Sequence, residues 1–416
     1  MASARASLKS FMATARKALA APPSQRQTPL NFVIGNESAD LDSLCSAVLL
    51  AYFRTHTPPH TLHIPLSNLP RADLALRPEL NAVLSPAGLQ PDDLLTLTDL
   101  PQDNLRPDQT RWFLVDHNSP TGLVARQFNP VSNNLILGCI DHHDDEGAVP
   151  ESASGPRVIE KTGSCSTLVA SYFRPAWDDD KTLQPDPSVD ASLARLALGP
   201  ILIDTTNLTD KGKTTPLDIE TVEYLESTKL MAPFISVSST EEESNYYSRD
   251  SFFRDISRLK EDISSLSLRD ILRKDYKRWD DGGLALGTSS IVRDMSYVVT
   301  EHAGGGKDAF LDAAKSWAHE QGLDIMSVMT ASSTPDGRFS RELLIWAFGT
   351  RAVDVVRQFA QRNGEKLGLE RWGDGALDLD GREGEWRACW TQKKLEHSRK
   401  QIAPMLREAM RDSSKL

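Results

Sequence analysis

The first half of the chain repeats one pattern: a short apolar run of β-type residues stops at a polar or acidic residue, and a loop and a helically spaced stretch follow. Such runs lie at 30–36, ending on Asn36, at 112–116, ending on Asp116, at 135–141, ending on Asp141, and at 201–204, ending on Asp204. Helical stretches at 44–52, 166–172 and 192–198 separate them. Near-continuous hydrophobic strands alternating with helices predict a parallel sheet covered on both faces, the doubly wound α/β class. Ligands of such folds bind beyond the carboxyl ends of the strands, where the four terminal residues stand.

The pattern breaks at 231–245, where Pro233, a Ser/Thr cluster and the run Glu241, Glu242, Glu243 read as an exposed linker. This predicts a first domain over 1–230, a linker over 231–247 and a smaller α/β domain over 248–416. Within the latter, the spacing predicts helices near 252–266 and 268–279 and strands near 284–293, 325–331 and 342–347. At the amino end Leu8, Phe11, Met12, Ala15 and Leu19 recur at helical spacing, which predicts an amphipathic helix over 5–20 packed on the first domain. The same segment carries Arg5, Lys9, Arg16, Lys17 and Arg26 with no acid, a composition shared with mitochondrial presequences. The expected compartment is therefore the cytoplasm, with the mitochondrial matrix as the alternative. No apolar run approaches the roughly 20 residues that span a bilayer, so no membrane segment is expected.

Composition changes this picture in two ways. A formal net charge of −11 argues against general nucleic-acid binding, which needs a basic face, so a polyanionic substrate must be attracted locally. The four cysteines, Cys45, Cys139, Cys165 and Cys389, are scattered without a CxxC pair, which points to reduced, buried thiols rather than a thiolate metal site. Nothing in the sequence calls for an obligate protein partner.

The chemistry gathers at the strand ends. Asp40 and Asp42 sit two residues apart between a predicted strand and helix, where they can reach two neighbouring hard cations; alternatively Asp42 or Ser43 only caps the helix. Asp116-His117-Asn118 and Asp141-His142-His143-Asp144-Asp145 each follow their own strand, and imidazole beside carboxylate suits Mn²⁺ or Zn²⁺. Asp204 completes four acids converging on one sheet edge. Ser164 and Ser166 are read as a helix cap rather than nucleophiles. In the last turns of the chain Lys393, Lys394, His397, Arg399, Lys400, Arg407 and Arg411 form a basic cluster.

These segments resemble the four motifs of the DHH phosphoesterase superfamily: Asn36 to Ser43, Asp116-His117-Asn118, Asp141-His142-His143 and Leu202 to Thr205. The second half is similar to the DHHA2 domain of family II inorganic pyrophosphatases, eukaryotic exopolyphosphatases and prune-like proteins, with His397 to Pro404 as its sharpest marker. The resemblance implies an active site in a cleft between the two domains. It implies two divalent cations, Mn²⁺ or Mg²⁺ with Co²⁺ or Zn²⁺ as alternatives. Asp40 and Asp116 would bind one, and Asp42, Asp116, His142 and Asp204 the other, with Asp116 as the bridge. His143 would face the substrate phosphate and protonate the leaving group, while Arg399, Lys400 and Lys277 bind phosphate oxygens and Asn36 also belongs to the substrate-binding set. Family II pyrophosphatases carry a histidine ligand where Asn36 stands, and Asn36 resembles the exopolyphosphatase branch instead.

Two adjacent cations lower the pKa of a shared water and neutralise charge on the attacking and leaving oxygens, so the expected nucleophile is metal-bound hydroxide. The expected activity is removal of terminal orthophosphate from inorganic polyphosphate. The alternatives are an inorganic pyrophosphatase, a prune-like nucleotide phosphodiesterase or short-chain polyphosphatase, and a regulatory binding protein that has lost its chemistry.

Overall fold

The computed structural model describes residues 5–101, 105–230, 247–302, 304, 306–333, 338–379 and 384–413. Contacts divide the chain into two compact units, 1–260 and 261–416. The linker expected over 231–247 lies, all but Tyr247, outside the described residues.

The first unit carries strands β1 (Leu30–Ile34), β2 (His63–Leu66), β3 (Thr110–Val115), β4 (Ile136–Asp141) and β5 (Arg157–Ile159), with helices α1 (Leu8–Leu19), α2 (Leu41–His56), α3 (Glu79–Leu84), α4 (Gly122–Phe128), α5 (Cys165–Trp177), α6 (Pro187–Asp204), α7 (Pro216–Tyr224) and α8 (Arg249–Glu261). The strands run in the order β2-β1-β3-β4-β5, and every pairing is parallel. Strand order therefore reverses at the β1/β3 pair, where an open α/β sheet leaves a crevice beyond its carboxyl ends. Ile34 is paired with Leu114, so the loops that begin at Gly35 and Asp116 emerge side by side.

Two expectations are corrected here. The run 201–204 is the last turn of α6, not a strand. The helix buries Leu193, Ala194, Leu196, Ala197, Leu198, Ile201 and Leu202, and an apolar run buried all round looks the same in sequence whether helical or extended. The boundary also moves: α8, expected with the second domain, packs on the first, because Ile256 is buried in that core with Phe252 and Phe253 against it.

Helix α1 turns Leu8, Phe11, Met12, Ala15 and Leu19 inward, and Ser7 caps it by accepting from Ser10 N. Just before it, Arg5 pairs with Asp190 at 2.6 Å and donates to Tyr52 Oη at 3.1 Å, while Trp177 Nε1 donates to the same Asp190.

The second unit is built on a six-stranded sheet, β10-β11-β9-β8-β7-β6, from β6 (Tyr276–Asp281), β7 (Leu284–Ile291), β8 (Ile325–Ser333), β9 (Phe339–Phe348), β10 (Leu369–Arg371) and β11 (Glu385–Gln392). Its helices are α9 (Leu268–Lys274), α10 (Gly306–Glu320), α11 (Thr350–Leu367) and α12 (Arg399–Ser413). Only β7 and β8 pair in parallel. Each face carries its own core, α9 and α10 contributing to one and α11 and α12 to the other. The helix expected over 268–279 stops at Lys274, and Tyr276–Asp281 pairs antiparallel with β7. The connection, Gly282 and Gly283, has positive φ at both residues, the conformation that joins tightly twisted hairpin strands. All four cysteines are buried and free. Among the described residues no helix is long and apolar enough to cross a membrane.

The Arg5 side chain is 4% exposed and Asp190 13%, and Arg5→Met leaves that carboxylate, among the described residues, the Trp177 bond alone. It should lower the stability of the first unit by about 2 kcal/mol, the scale of hydrogen bonds to a charged group, read as a shift in denaturant midpoint at constant slope.

Candidate metal centre

The site is assembled from the residues that follow β1, β3 and β4 and from the ends of α5 and α6. Asp116 is the hub. It is 2% exposed and follows β3 in a left-handed conformation, φ 58°, which Asp tolerates better than most side chains. Its Oδ2 accepts from Asn36 Nδ2 at 2.7 Å and from Ser43 Oγ at 2.6 Å. The Asn36 amide also donates to the Asp116 carbonyl at 3.1 Å, and its Oδ1 accepts from Ser38 N. Asn36 therefore orients Asp116 with its donor end, and its oxygen is already taken.

The other oxygen of Asp116 faces a different set. His142 Nε2 stands 3.2 Å from Asp116 Oδ1 and 3.9 Å from Asp42 Oδ2. On the far side of the ring, His142 Nδ1 is 3.0 Å from the Thr162 carbonyl. A carbonyl can only accept, so Nδ1 carries a proton toward Thr162, and Nε2 is the ring nitrogen aimed at the two carboxylates. In the tautomer with Nε2 unprotonated, one nitrogen and two carboxylates converge on a place that a cation can fill. Nitrogen and carboxylate oxygen together suit a borderline divalent ion. This donor set fits a divalent metal.

Asp42 is held by helix α5. Its Oδ2 accepts from Cys165 N at 2.6 Å, and its Oδ1 from Ser166 N at 2.9 Å and Ser46 Oγ at 3.1 Å. The anion at the start of α5 is thus a side chain of the site, which draws on the helix's free amides and its dipole. Ser164 is the cap residue of α5 by position, but its own hydroxyl makes no cap bond. In α2 the cap is Asp40, which accepts from Ser43 N at 3.0 Å, rather than Asp42 or Ser43. Gly163 allows this packing: a Cβ there would lie 2.4 Å from Thr205 Cγ2, beside Asp204.

His143 turns away from this group. Its Nδ1 is 2.7 Å from Asp141 Oδ1 and 3.7 Å from Asp116 Oδ1, and its side chain is 24% exposed against 5% for His142. Among the described residues Asp116, His142 and His143 place a ligand atom each within 4.8 Å of one another. Asp40 and Asp204 join them through their fields. Burial and the charges of Asp40 and Asp42 push the Asp116 carboxyl up to about 6. Asp204 keeps part of its surface exposed, yet desolvation inside the site and the nearby Asp42 push it up to about 7, against the opposing field of Lys260. Asp141 behaves oppositely. Burial opposes its charge, but the hydrogen bond and field of His143 and the bond from Asn118 hold it well below the carboxylate range.

Ser43 and Thr162 orient candidate ligands, Asn118 orients Asp141, and Asp141 orients His143, tasks that the strand-end reading did not assign them. Asn118 and Asp141 stand inside motifs already noted, whereas Thr162 acts through a main-chain carbonyl that no side-chain pattern reports.

In the second unit, Arg399 opens α12 and is ion-paired to Asp275 Oδ1 at 2.8 Å, with a further bond to the Asp275 carbonyl at 3.1 Å. Lys277 follows two residues later on edge strand β6, opposite Thr288, and Lys400 is exposed in the first turn of α12. Arg399 is thus brought to the start of β6 through Asp275.

Family models match both units: "DHH family, N-terminal domain" over residues 31–200 and "DHHA2 domain" over 254–409. A protein of Schizosaccharomyces pombe named "Putative exopolyphosphatase" is 32% identical over 92% of this chain and 91% of its own length. The chain belongs to the DHH–DHHA2 family. Other relatives in it are human "Exopolyphosphatase PRUNE1", 25% identical over 93% of this chain and 77% of that protein, and the "Manganese-dependent inorganic pyrophosphatase" of Methanocaldococcus jannaschii, 27% identical over 65% of this chain and 74% of that protein. The crystal structure of a Methanococcus jannaschii "putative family II inorganic pyrophosphatase" shares the fold, with a TM-score of 0.58 at 20% identity over 91% of this chain and 99% of that one. Asp141-His142-His143, the segment that resembles the family's DHH motif, is whole here, with its aspartate buried.

Asp116 and Asp204 hold protons in the folded, metal-free protein at pH values where the unfolded chain has released them. From the ordinary value of 3.8 up to about 7 the fold binds more protons than the unfolded chain, so these groups lower stability as the pH rises. Mn²⁺ competes with those protons. Calorimetry should show Mn²⁺ affinity increasing from pH 5.5 to 8 with proton release on binding, and Asp204→Asn should remove part of that release.

Proposed function

We propose that the protein is an exopolyphosphatase, hydrolysing the terminal phosphoanhydride bond of inorganic polyphosphate to release orthophosphate. The observation that carries the reading is the buried convergence of Asp116, Asp42 and His142 Nε2, in a chain whose relative bears the name "Putative exopolyphosphatase". Two divalent cations, Mn²⁺ or Mg²⁺, held by Asp40, Asp42, Asp116, His142 and Asp204, would supply Lewis acidity toward water and charge neutralisation at the phosphoryl group.

The chain's own residues have the remaining tasks. Asn36 and Ser43 keep Asp116 oriented through its Oδ2, so that Oδ1 alone faces the inner ligands. The Thr162 carbonyl fixes the tautomer that leaves His142 Nε2 a lone pair. His143, with Nδ1–H committed to Asp141, would as the imidazolium carry its second proton on Nε2 and deliver that one to the departing phosphate oxygen. Arg399, Lys400 and Lys277 bind phosphate oxygens, Arg399 exchanging Asp275 for the substrate.

An inorganic pyrophosphatase is the second reading, supported by the pyrophosphatase relative. Asn36 argues against it. Its side chain donates to Asp116 and its oxygen accepts from Ser38 N, so it is turned to holding Asp116 where the pyrophosphatases resembled here have an imidazole.

Phosphate release with Mn²⁺ or Mg²⁺ should rank long polyphosphate and tripolyphosphate above pyrophosphate and a cyclic nucleotide. A preference for pyrophosphate would overturn the assignment. Asp116→Ala should lose at least about 100-fold in kcat, and full activity in that variant would refute the metal centre.

Arg399→Ala should raise KM for polyphosphate by about tenfold, the scale of a hydrogen bond to a charged group, with metal content unchanged. Loss of metal with the arginine would assign it a structural role instead.

A further inference from the structure

His143 belongs to a buried relay whose far end lies on another strand's loop. Asp141 is fully buried and its Oδ1 accepts three times: from His142 N at 2.8 Å, His143 N at 3.2 Å and His143 Nδ1 at 2.7 Å. Its Oδ2 accepts from Asn118 Nδ2 at 2.6 Å. Asn118, itself 1% exposed, uses its whole amide on this loop: Nδ2 also donates to the Asp144 carbonyl at 2.9 Å, and Oδ1 accepts from Glu146 N at 2.7 Å. One side chain two residues beyond Asp116 thus fixes both the acid that orients His143 and the backbone on the other side of that histidine.

We propose that Asn118 is the positioning residue of His143: by occupying Asp141 Oδ2 and pinning residues 144–146, it leaves Oδ1 as the acceptor for His143 Nδ1 and so directs Nε2 to the substrate. This rests on the reading of His143 as the proton donor under the proposed function.

The geometry excludes looser arrangements. Without the Asn118 donor, a buried carboxylate loses a charge-assisted bond that cannot be replaced from solvent, so Asp141 must turn to find another partner. A rotation that brings Oδ2 toward the loop removes Oδ1 from His143 Nδ1, and the imidazole is then free to flip or to change tautomer. Asn118 also couples two motifs. The loop after β3 supplies Asp116 to the metal ligands and, two residues later, sets the orientation of the histidine after β4, so a shift of that loop moves both.

Asn118→Asp keeps the volume and the acceptor for Glu146 N, but sets a carboxylate against Asp141 Oδ2. Asn118→Ser is the milder variant, keeping a donor in less space. Both are assayed on polyphosphate in the full chain with Mn²⁺, with Mn²⁺ content and circular dichroism as controls. Asn118→Asp should lower kcat on the order of 10- to 100-fold, the usual scale for partners that orient a ligand or catalytic group, with KM within about twofold. Long-range ¹H–¹⁵N spectra should show neutral His143 as the Nδ1–H tautomer in the parent protein, with Nε2 the nitrogen that takes up the proton it later delivers, and a mixed tautomer population in the variant. In a His143→Ala background the same substitution should cost less than about twofold, because the group it positions is gone.

An unchanged kcat in Asn118→Asp, or an equal loss with and without His143, overturns the proposal and makes Asn118 a staple of the loop alone. If His143→Ala keeps full kcat, the proton-donor reading fails along with it, and that result separates the two failures. A variant that folds poorly still decides the question through Asn118→Ser, whose penalty must likewise vanish in the His143→Ala background.

Discussion

Everything around the metal centre is shaped by the cost of burying carboxylates close together. Asp42 and Asp116 are each at most 3% exposed, Asp40 adds its field to Asp116, and Asp42 and Asp40 add theirs to Asp204. Desolvation penalises every charge in such a cluster, and mutual repulsion adds to the penalty. The fold answers each acid separately. Asp42 receives the first amides of α5, Asp116 receives Asn36 and Ser43, and Asp141 receives Asn118 and three bonds from the histidine pair. What these donors leave facing inward is the group of Asp116 Oδ1, Asp42 Oδ2 and His142 Nε2, and that group is the candidate site. The strand order matters because it puts the two critical loops side by side: β1 and β3 are neighbours at the switch point, which is why Asn36 can reach Asp116 at all.

The parts legible in the sequence were those where side-chain type and local pattern carry the same information. Asn36, Asp116 and Asp141 each end a β-type run, and the run, the loop and the helix that follow are all local. Asp204 was found as an acid, but its element was misread, because α6 is apolar on every side and periodicity cannot separate a buried helix from a buried strand. The DHHA2 half was less legible for a related reason. Strand β6 follows α9 after a single residue, Asp275, so a charged amphipathic segment reads as one longer helix until the Gly282-Gly283 turn is given its weight. The orienting contacts, Thr162 to His142 and Asn118 to Asp141, span about twenty residues and use carbonyls or amides that carry no periodic signal.

Electrostatics in this protein also runs against the helices that carry it, and in opposite senses in the two units. Helix α6 ends on Asp204 with no basic residue in its last turn, so an acid sits at the negative end of the dipole. Helix α12 begins with Arg399 and Lys400 and has no acid in its first turn, so cations sit at the positive end. Each reversal costs roughly 0.3–1 kcal/mol relative to the preferred sign. Local partners offset part of it: the field of Lys260 acts on Asp204, and Asp275 pairs with Arg399. An acid at a helix's carboxyl end calls for a cation, and paired cations at an amino end call for an anion. Against a net charge of −11, these two helix ends are local departures from the dipole's preferred sign, an acid at a carboxyl end in the first unit and cations at an amino end in the second.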